Sequence, residues 1–341
     1  MNEIGIHSTS YFQIWHLPTV FLRKYKDNLM VLLRGNDIQT RKELLDFLND
    51  FIEKNKMKLR NLQAEEMLEG FHASPEGLSE LVFITNNIGD RTAKNTIMTL
   101  ENETNKDISV KVAAISTTFS LSKNLIKPAI KTLTGILGFD VTKQHDYIIT
   151  GNFDEFNKVL SLSRWKGKFD WELVKKRLKD RESFIAIQHR IRMNSPNTHI
   201  IAVYSDVPFY TTHDFNIFKV DKDEAKVFAL YFNSILGFLQ LSNYSSETTG
   251  GYMLFMKSDL VNVKVPDIKK LNEKELKSIL DLFDKLRDVK FPSIVNQLET
   301  NFKERVELDT LFLRLFGFSE KEIRDWLPKL YRTLLEDMSE N

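Results

Sequence analysis

The chain contains no cysteine. Disulfides, thiol nucleophiles and every cysteine-held zinc or iron–sulfur site are therefore excluded together. The thirteen glycines never stand two apart, so the G-x-G of a dinucleotide loop is absent. Gly167-Lys168 has no glycine five residues before it, which rules out a phosphate-cradling P-loop. The seven histidines never fall at helical ligand spacing, and no H-E-x-x-H occurs. No serine sits in a G-x-S-x-G elbow, and no two prolines are adjacent. These absences predict no metal and no cofactor.

An excess of one charge is missing too. Forty-eight Lys+Arg stand against 47 Asp+Glu, a net charge of +1. A nucleic-acid surface must then come from uneven placement of charge, not from its sum. No run approaches the roughly 18 apolar residues that a membrane-spanning helix needs. Met1 to Leu22, with Gln13, His16 and Pro18, has no basic start leading into a clean apolar stretch, so no signal peptide is expected. The expectation is a soluble, cytoplasmic protein with no membrane partner.

What is present is an ordinary globular composition, 42% apolar and 28% charged. At roughly 150 residues per domain the length suggests about two domains. The patterning predicts an α+β fold: a mixed N-terminal part over 1–125, a β-rich core over 126–266 and a helical C-terminal segment over 267–341. Residues 41–69 carry Leu44, Leu45, Leu48, Phe51 and Ile52 on one helical face, with Gly70 as the stop. Strands are expected at Leu81–Ile84, Thr96–Leu100, Ile108–Val112, Tyr147–Ile149, Phe184–Ile187, His199–Tyr204 and Asn216–Val220. Between them, Lys123–Leu137 reads as a short helix started or kinked by Pro128. A helix from Asp223 to about Leu241 is capped by Asp221 or Asp223. In it Phe228, Phe232, Leu236 and Leu239 fall at core spacing, and Asn233, Ser234 and Gly237 are assigned to packing. Gly250-Gly251 turns the chain into Tyr252–Met256, and helices follow over Leu271–Val289 and from Ile294 to about Leu335.

One catalytic string occurs, Pro266-Asp267 followed by Glu275-Leu276-Lys277, the PD…ExK of Mg²⁺ nucleases. That chemistry needs its carboxylates and lysine displayed together from adjacent strands. Here Glu275 and Lys277 fall on a helix, about 200° apart, so the geometry fails. One local charge anomaly also stands out. Ser163–Arg192 holds ten cations and four anions, with Trp165, Phe169 and Trp171 interleaved. Phosphate contacts with base or sugar packing would use that mixture. A solvated basic helix with its aromatics turned inward would use it equally.

From Ile185 onward the order of features resembles a known family. Arg190-Ile191-Arg192 is followed by Thr198–Asp206, by the helical Leu230–Gly237, by Glu247-Thr248-Thr249-Gly250-Gly251-Tyr252, by Lys257-Ser258-Asp259-Leu260 and by Val265-Pro266-Asp267. This order is similar to the C-terminal target-recognition part of N6-adenine DNA methyltransferases from restriction–modification and phage-defence systems. Thr249 to Asp267 with the next helix also resembles the end of a recognition domain in type I restriction specificity subunits. Arg305–Asp309 and Leu315–Phe318 are similar to the tail that closes many of these enzymes. The departure from the family matters as much. Methyl transfer to a flipped adenine uses a [DNS]-P-P-[YFW] loop, and without a Pro-Pro pair none exists. No loop for S-adenosylmethionine is found either.

The resemblance implies a non-catalytic DNA-recognition protein or subunit whose partners are double-stranded DNA and a methyltransferase or nuclease supplied elsewhere. The alternatives are a C-terminal piece of a larger enzyme, a degenerate paralogue, or an interaction scaffold that has lost DNA. The role of residues 1–120 stays open. In such a protein cations hold phosphates while loops and strands read base edges. Lys166, Lys168, Arg190 and Arg192 are the candidate cations. The last two share a strand face, where surface salt bridges are the alternative. Asn194 and Tyr204 are further DNA-contact candidates, with turn formation the alternative for Asn194. Thr248, Thr249, Tyr252 and Lys257 complete the set, on a glycine turn that hairpin geometry alone would also explain.

Overall fold

The computed structural model describes residues 38–71, 79–86, 97–113, 116–161, 169–248 and 252–339. The chain divides into two compact units, Met1–Asp50 and Phe51–Asn341. Of the first, the described part is the opening of the helix Ile38–Asn55.

The second unit is α+β. In chain order its strands are β1 (Leu59–Asn61), β2 (Met67–Glu69), β3 (Phe83–Asn86), β4 (Met98–Glu103) and β5 (Asp107–Val112). Then come β6 (Thr117–Ser122), β7 (Ile126–Ile130), β8 (Asp146–Ile149), β9 (Ser183–Gln188) and β10 (Arg190–Ile191). The last five are β11 (Ala202–Thr211), β12 (Phe215–Phe218), β13 (Ser246–Thr248), β14 (Tyr252–Leu254) and β15 (Lys264–Pro266). Ten strands form one mixed sheet in the order β2-β12-β9-β11-β7-β8-β3-β4-β5-β6. Its neighbours run antiparallel except at β11–β7 and β3–β4. A three-stranded sheet, β10-β14-β13, and the pair β1–β15 stand apart from it.

Period-2 patterning sets the core on this sheet. Ile108, Val110 and Val112 of β5 are buried. They belong to a cluster that the helices Asp154–Ser161 and Trp171–Leu178 complete with Phe156, Val159, Val174 and Leu178. Asp170 starts the second of these helices by accepting the Glu172 N–H at 2.9 Å. Beyond β15 the chain is helical over Glu273–Leu286, Ile294–Glu299, Lys303–Leu315 and Glu320–Ser339. The helix expected from Ile294 to Leu335 is thus three helices. Among the described residues no single helix is long and apolar enough to cross a membrane.

Several elements differ from expectation, and in each a non-local contact overrides the local pattern. The helix expected to reach residue 69 ends at Asn55, whose side chain donates to the Phe51 carbonyl at 3.0 Å. The following residues are drawn into β1, which pairs with β15, and β2, which pairs with β12. Gly70 serves close approach rather than helix termination, since a Cβ there would lie 2.0 Å from the Thr212 carbonyl oxygen. Leu81 and Val82 belong to a helical turn that precedes β3. The helix expected over Lys123–Leu137 is instead β7, deep in the large sheet. The N–H that Pro128 lacks falls one residue before the pairing with β11 begins at Ala129.

The single helix expected from Asp223 to Leu241 is two, Lys222–Phe232 and Ile235–Tyr244, bent by 78°. Asp221 caps the first, accepting the Glu224 N–H at 2.9 Å. Asn233 makes the break. Its Oδ1 accepts the Ile201 N–H and its Nδ2 donates to the carbonyls of Ala202 and Ala229, each at 2.8 Å. Ser234 then caps the second helix. Gly237 lets the two helices meet, because a Cβ there would stand 2.1 Å from the Tyr231 carbonyl oxygen.

The C-terminal helices are fastened to this corner by one carboxylate. Asp309, fully buried, accepts the Ile235 N–H at 2.6 Å, the Arg305 Nε–H at 2.7 Å and the Tyr331 hydroxyl at 2.6 Å. Burial pushes its pKa up against the pull of Arg305. Removing one member of such a buried pair strands the other charge, which costs about 3–5 kcal/mol. Asp309→Ala is therefore expected to lower the unfolding free energy by about that amount in a urea titration. A change below about 1 kcal/mol would contradict this account of the corner.

Candidate nucleic-acid interface

The candidate surface is built where one segment passes from the large sheet to the small one. Gln188 ends β9 opposite Phe215. His189 then donates its N–H to the Asp214 carbonyl at 2.8 Å and accepts from the Phe255 N–H at 2.7 Å. Burial lowers the His189 pKa below its ordinary value, against the pull of Asp214 and Glu69. The next residues form β10, with Arg190 opposite Leu254 and Ile191 opposite Met253. The hairpin partner β13 places Thr248 opposite Tyr252.

Ile191 and Met193 are buried while Arg190 and Arg192 are exposed, so alternation turns both arginines to one open face. The Arg190 guanidinium lies 4.5 Å from the Tyr252 ring centroid, within cation–π range. Arg192 donates its Nε–H to Asn194 Oδ1 at 3.1 Å. Asn194 Nδ2 in turn donates to the Met338 carbonyl at 3.1 Å, near the end of the last helix. Neither arginine joins an ion pair among the described residues, so the salt-bridge alternative does not account for them. Arg190, Arg192, Asn194, Thr248 and Tyr252 are thus gathered on or beside the three-stranded sheet. Lys257 follows at the start of the short helix Lys257–Leu260, half-buried behind Met256, which is 42% exposed.

Tyr204 is not on this surface. It is fully buried, packed edge-on against Phe283 at 4.8 Å, and its hydroxyl donates to Asp206 at 2.9 Å. The helix Glu273–Leu286 covers the strand end that its sequence position left open, so a DNA contact by Tyr204 is excluded. Lys166, Lys168 and Thr249 lie outside the described residues, as do Arg164 and Trp165. Within the rest of the basic segment the aromatics turn inward, Phe169 and Trp171 each standing 4.8 Å from Phe156. Lys175 pairs with Glu172 at 2.9 Å, and Arg181 donates to the carbonyls of Glu69 and Gly70. Lys176 and Lys179 are exposed on this segment.

The nuclease string behaves as capping. Asp267 accepts the Lys269 N–H at 3.2 Å, while Glu275 closes a capping box with Asn272 and pairs with Lys58 at 2.6 Å. Among the described residues no group of three or more His, Cys, Asp or Glu is placed to hold a metal ion. The residue that sequence reasoning missed is Met338, whose carbonyl orients Asn194 from 144 positions away. No local pattern signals such a contact. Met256, exposed beside the hairpin, was also passed over.

No family model matches the chain, and no curated protein matches it. Among solved structures it is similar to the type IIG restriction endonuclease BpuSI, with a TM-score of 0.55 at 13% identity. The match covers 86% of this chain and 33% of that enzyme, so the chain spans about a third of its length. At this identity the likeness is one of fold.

Arg287 explains why Tyr204 belongs to the scaffold. It contacts Asp140 and Asp206 at 2.5 Å each, tying the end of the helix Glu273–Leu286 to β11. Burial raises the Asp206 pKa, but hydrogen bonds from Arg287 and Tyr204 outweigh it and hold the carboxyl at about 2, against an ordinary 3.8. A depressed carboxylate adds stability above its unfolded pKa and loses it as pH falls through the folded one. With screening at this partly exposed site, Asp206→Asn is expected to cost about 1 kcal/mol at neutral pH. The gap to the parent should close as pH falls from about 4 to about 2, as followed by urea unfolding across that range. Tyr204→Phe should also cost about 1 kcal/mol and leave any nucleic-acid affinity unchanged.

Proposed function

We propose that this chain is a DNA-binding, target-recognition-like protein or subunit of a DNA-modification or restriction system. It carries no catalytic step itself and works with a methyltransferase or nuclease supplied elsewhere. The observation that carries the reading is the pair of exposed arginines at the small sheet, joined to no carboxylate among the described residues and braced by Tyr252 and Asn194. A cation left without a carboxylate beside it keeps its charge for the acceptors of a duplex, phosphate oxygens or base edges. The fold likeness to a restriction endonuclease supports the setting. The missing Pro-Pro loop argues against methyl transfer within this chain.

The scaffold alternative calls for an exposed apolar stripe on the C-terminal helices. Among the described residues the exposed large apolar side chains are Met57, Val207 and Met256, and none lies beyond residue 267. Nothing there favours a helix-docking role.

The test is binding of the chain to a random double-stranded DNA duplex across a salt series. Affinity is expected to fall steeply with salt, and the Arg190→Ala/Arg192→Ala variant to bind more weakly with a shallower slope. Absence of binding at low salt would sink the reading for this chain and direct the search to a protein partner.

A further inference from the structure

The two arginines share a face but are held in different ways. The Arg190 guanidinium lies over the Tyr252 ring, and among the described residues no hydrogen bond fixes which edge points outward. Stacking of that kind leaves the in-plane N–H groups free to follow an acceptor that surrounds them, as phosphate oxygens do.

Arg192 is held by its Nε–H, and the holder is itself fixed. The Met338 carbonyl only accepts, so the Asn194 amide nitrogen must face it, and Oδ1 must then face Arg192. The Arg192 carbonyl is also fastened, accepting from the Thr198 hydroxyl at 2.8 Å and the Ser195 N–H at 3.1 Å. With Nε occupied, the far edge of the guanidinium presents its two terminal amino groups outward. Those groups have no partner among the described residues. The brace is an uncharged amide, so the arginine keeps its full positive charge.

A fork whose plane is fixed and whose open edge shows two parallel donors fits one base edge in the major groove. Guanine offers O6 and N7 as adjacent acceptors, whereas adenine puts a donor beside N7 and the pyrimidines offer no such pair. Phosphate contact does not require the fork to be oriented, and here Asn194 holds its Nε–H while the main chain beneath it is fastened at the Arg192 carbonyl. Resting on the DNA-binding reading above, we propose that Arg192 is a specificity-determining residue that reads a guanine. Asn194 is its positioning residue, and Arg190 with Tyr252 engages the phosphate backbone beside it.

The test exposes the full-length chain to duplexes with a randomised centre and sequences the bound fraction. Parent protein is compared with Arg192→Lys, Arg192→Ala, Asn194→Ala and Arg190→Ala, after urea unfolding has shown each variant folded. The parent is expected to enrich guanine at one position by about ten- to a hundredfold, the range of a good bidentate pair. Arg192→Lys keeps a charge and donors for guanine but gives up the planar fork, and it should weaken that preference at that position. Arg192→Ala should lose it, and Asn194→Ala should weaken it. Arg190→Ala should reduce binding to all sequences alike. Guanine preference that persists in Arg192→Ala overturns the assignment, including where that variant binds every sequence more weakly. Parent protein that binds DNA without base preference also overturns it while the DNA-binding reading stands. Parent protein that binds no duplex removes both.

Discussion

One buried carboxylate organises the C-terminal half of the molecule. Asp309 meets the first N–H of the helix Ile235–Tyr244, the Arg305 side chain one turn back on its own helix, and the Tyr331 hydroxyl on the last helix. Three helices thereby share one electrostatic fastening in the buried interior, where an unpaired charge is costly. Its reach extends past the core. The last helix, held at Tyr331, ends beside Asn194, where its Met338 carbonyl sets the amide that steadies Arg192. The orientation of an exposed arginine is in this way anchored in the interior through a connected set of hydrogen bonds.

The candidate surface owes its character to what is missing around it as much as to the arginines themselves. Several half-buried cations are spent on carboxylates: Arg60 on Glu66 and Glu224, Lys123 on Glu103, Arg287 on two aspartates. Arg190 and Arg192 are braced by an aromatic ring and an amide, which orient a cation without neutralising it. The same contrast explains Tyr204 and Arg287. There, opposite charges lie in contact under a covering helix, and the outcome is rigidity.

Much of this was legible in the residues, and the limits have physical causes. The α+β class, the strands around 108–112, 147–149, 184–187 and 216–218, and the common face of Arg190 and Arg192 all follow from period-2 alternation, which is local. The misreadings all involve partners distant in the chain. Residues 59–69 look helical until β15 and β12 claim them. Pro128 looks like a helix start until β8 and β11 flank it. Tyr204 looks like the accessible end of a strand until Phe283 arrives from a helix. For the site, sequence named Arg190, Arg192, Asn194 and Tyr252 one by one. Their grouping, with one arginine stacked and the other braced, depends on a hairpin and a last helix that no local spacing encodes.

The bend at Asn233 decides what the apolar faces of residues 222–244 meet. Laid out as one straight helix, these residues would run about 35 Å. A single amide, satisfied by the Ile201 N–H and the carbonyls of Ala202 and Ala229, folds that length back on itself and gives its apolar faces to β11 and to the helix Lys303–Leu315. Asn233 thus splits one long apolar stretch between two packing partners, so that neither half has to find a single surface as long as both.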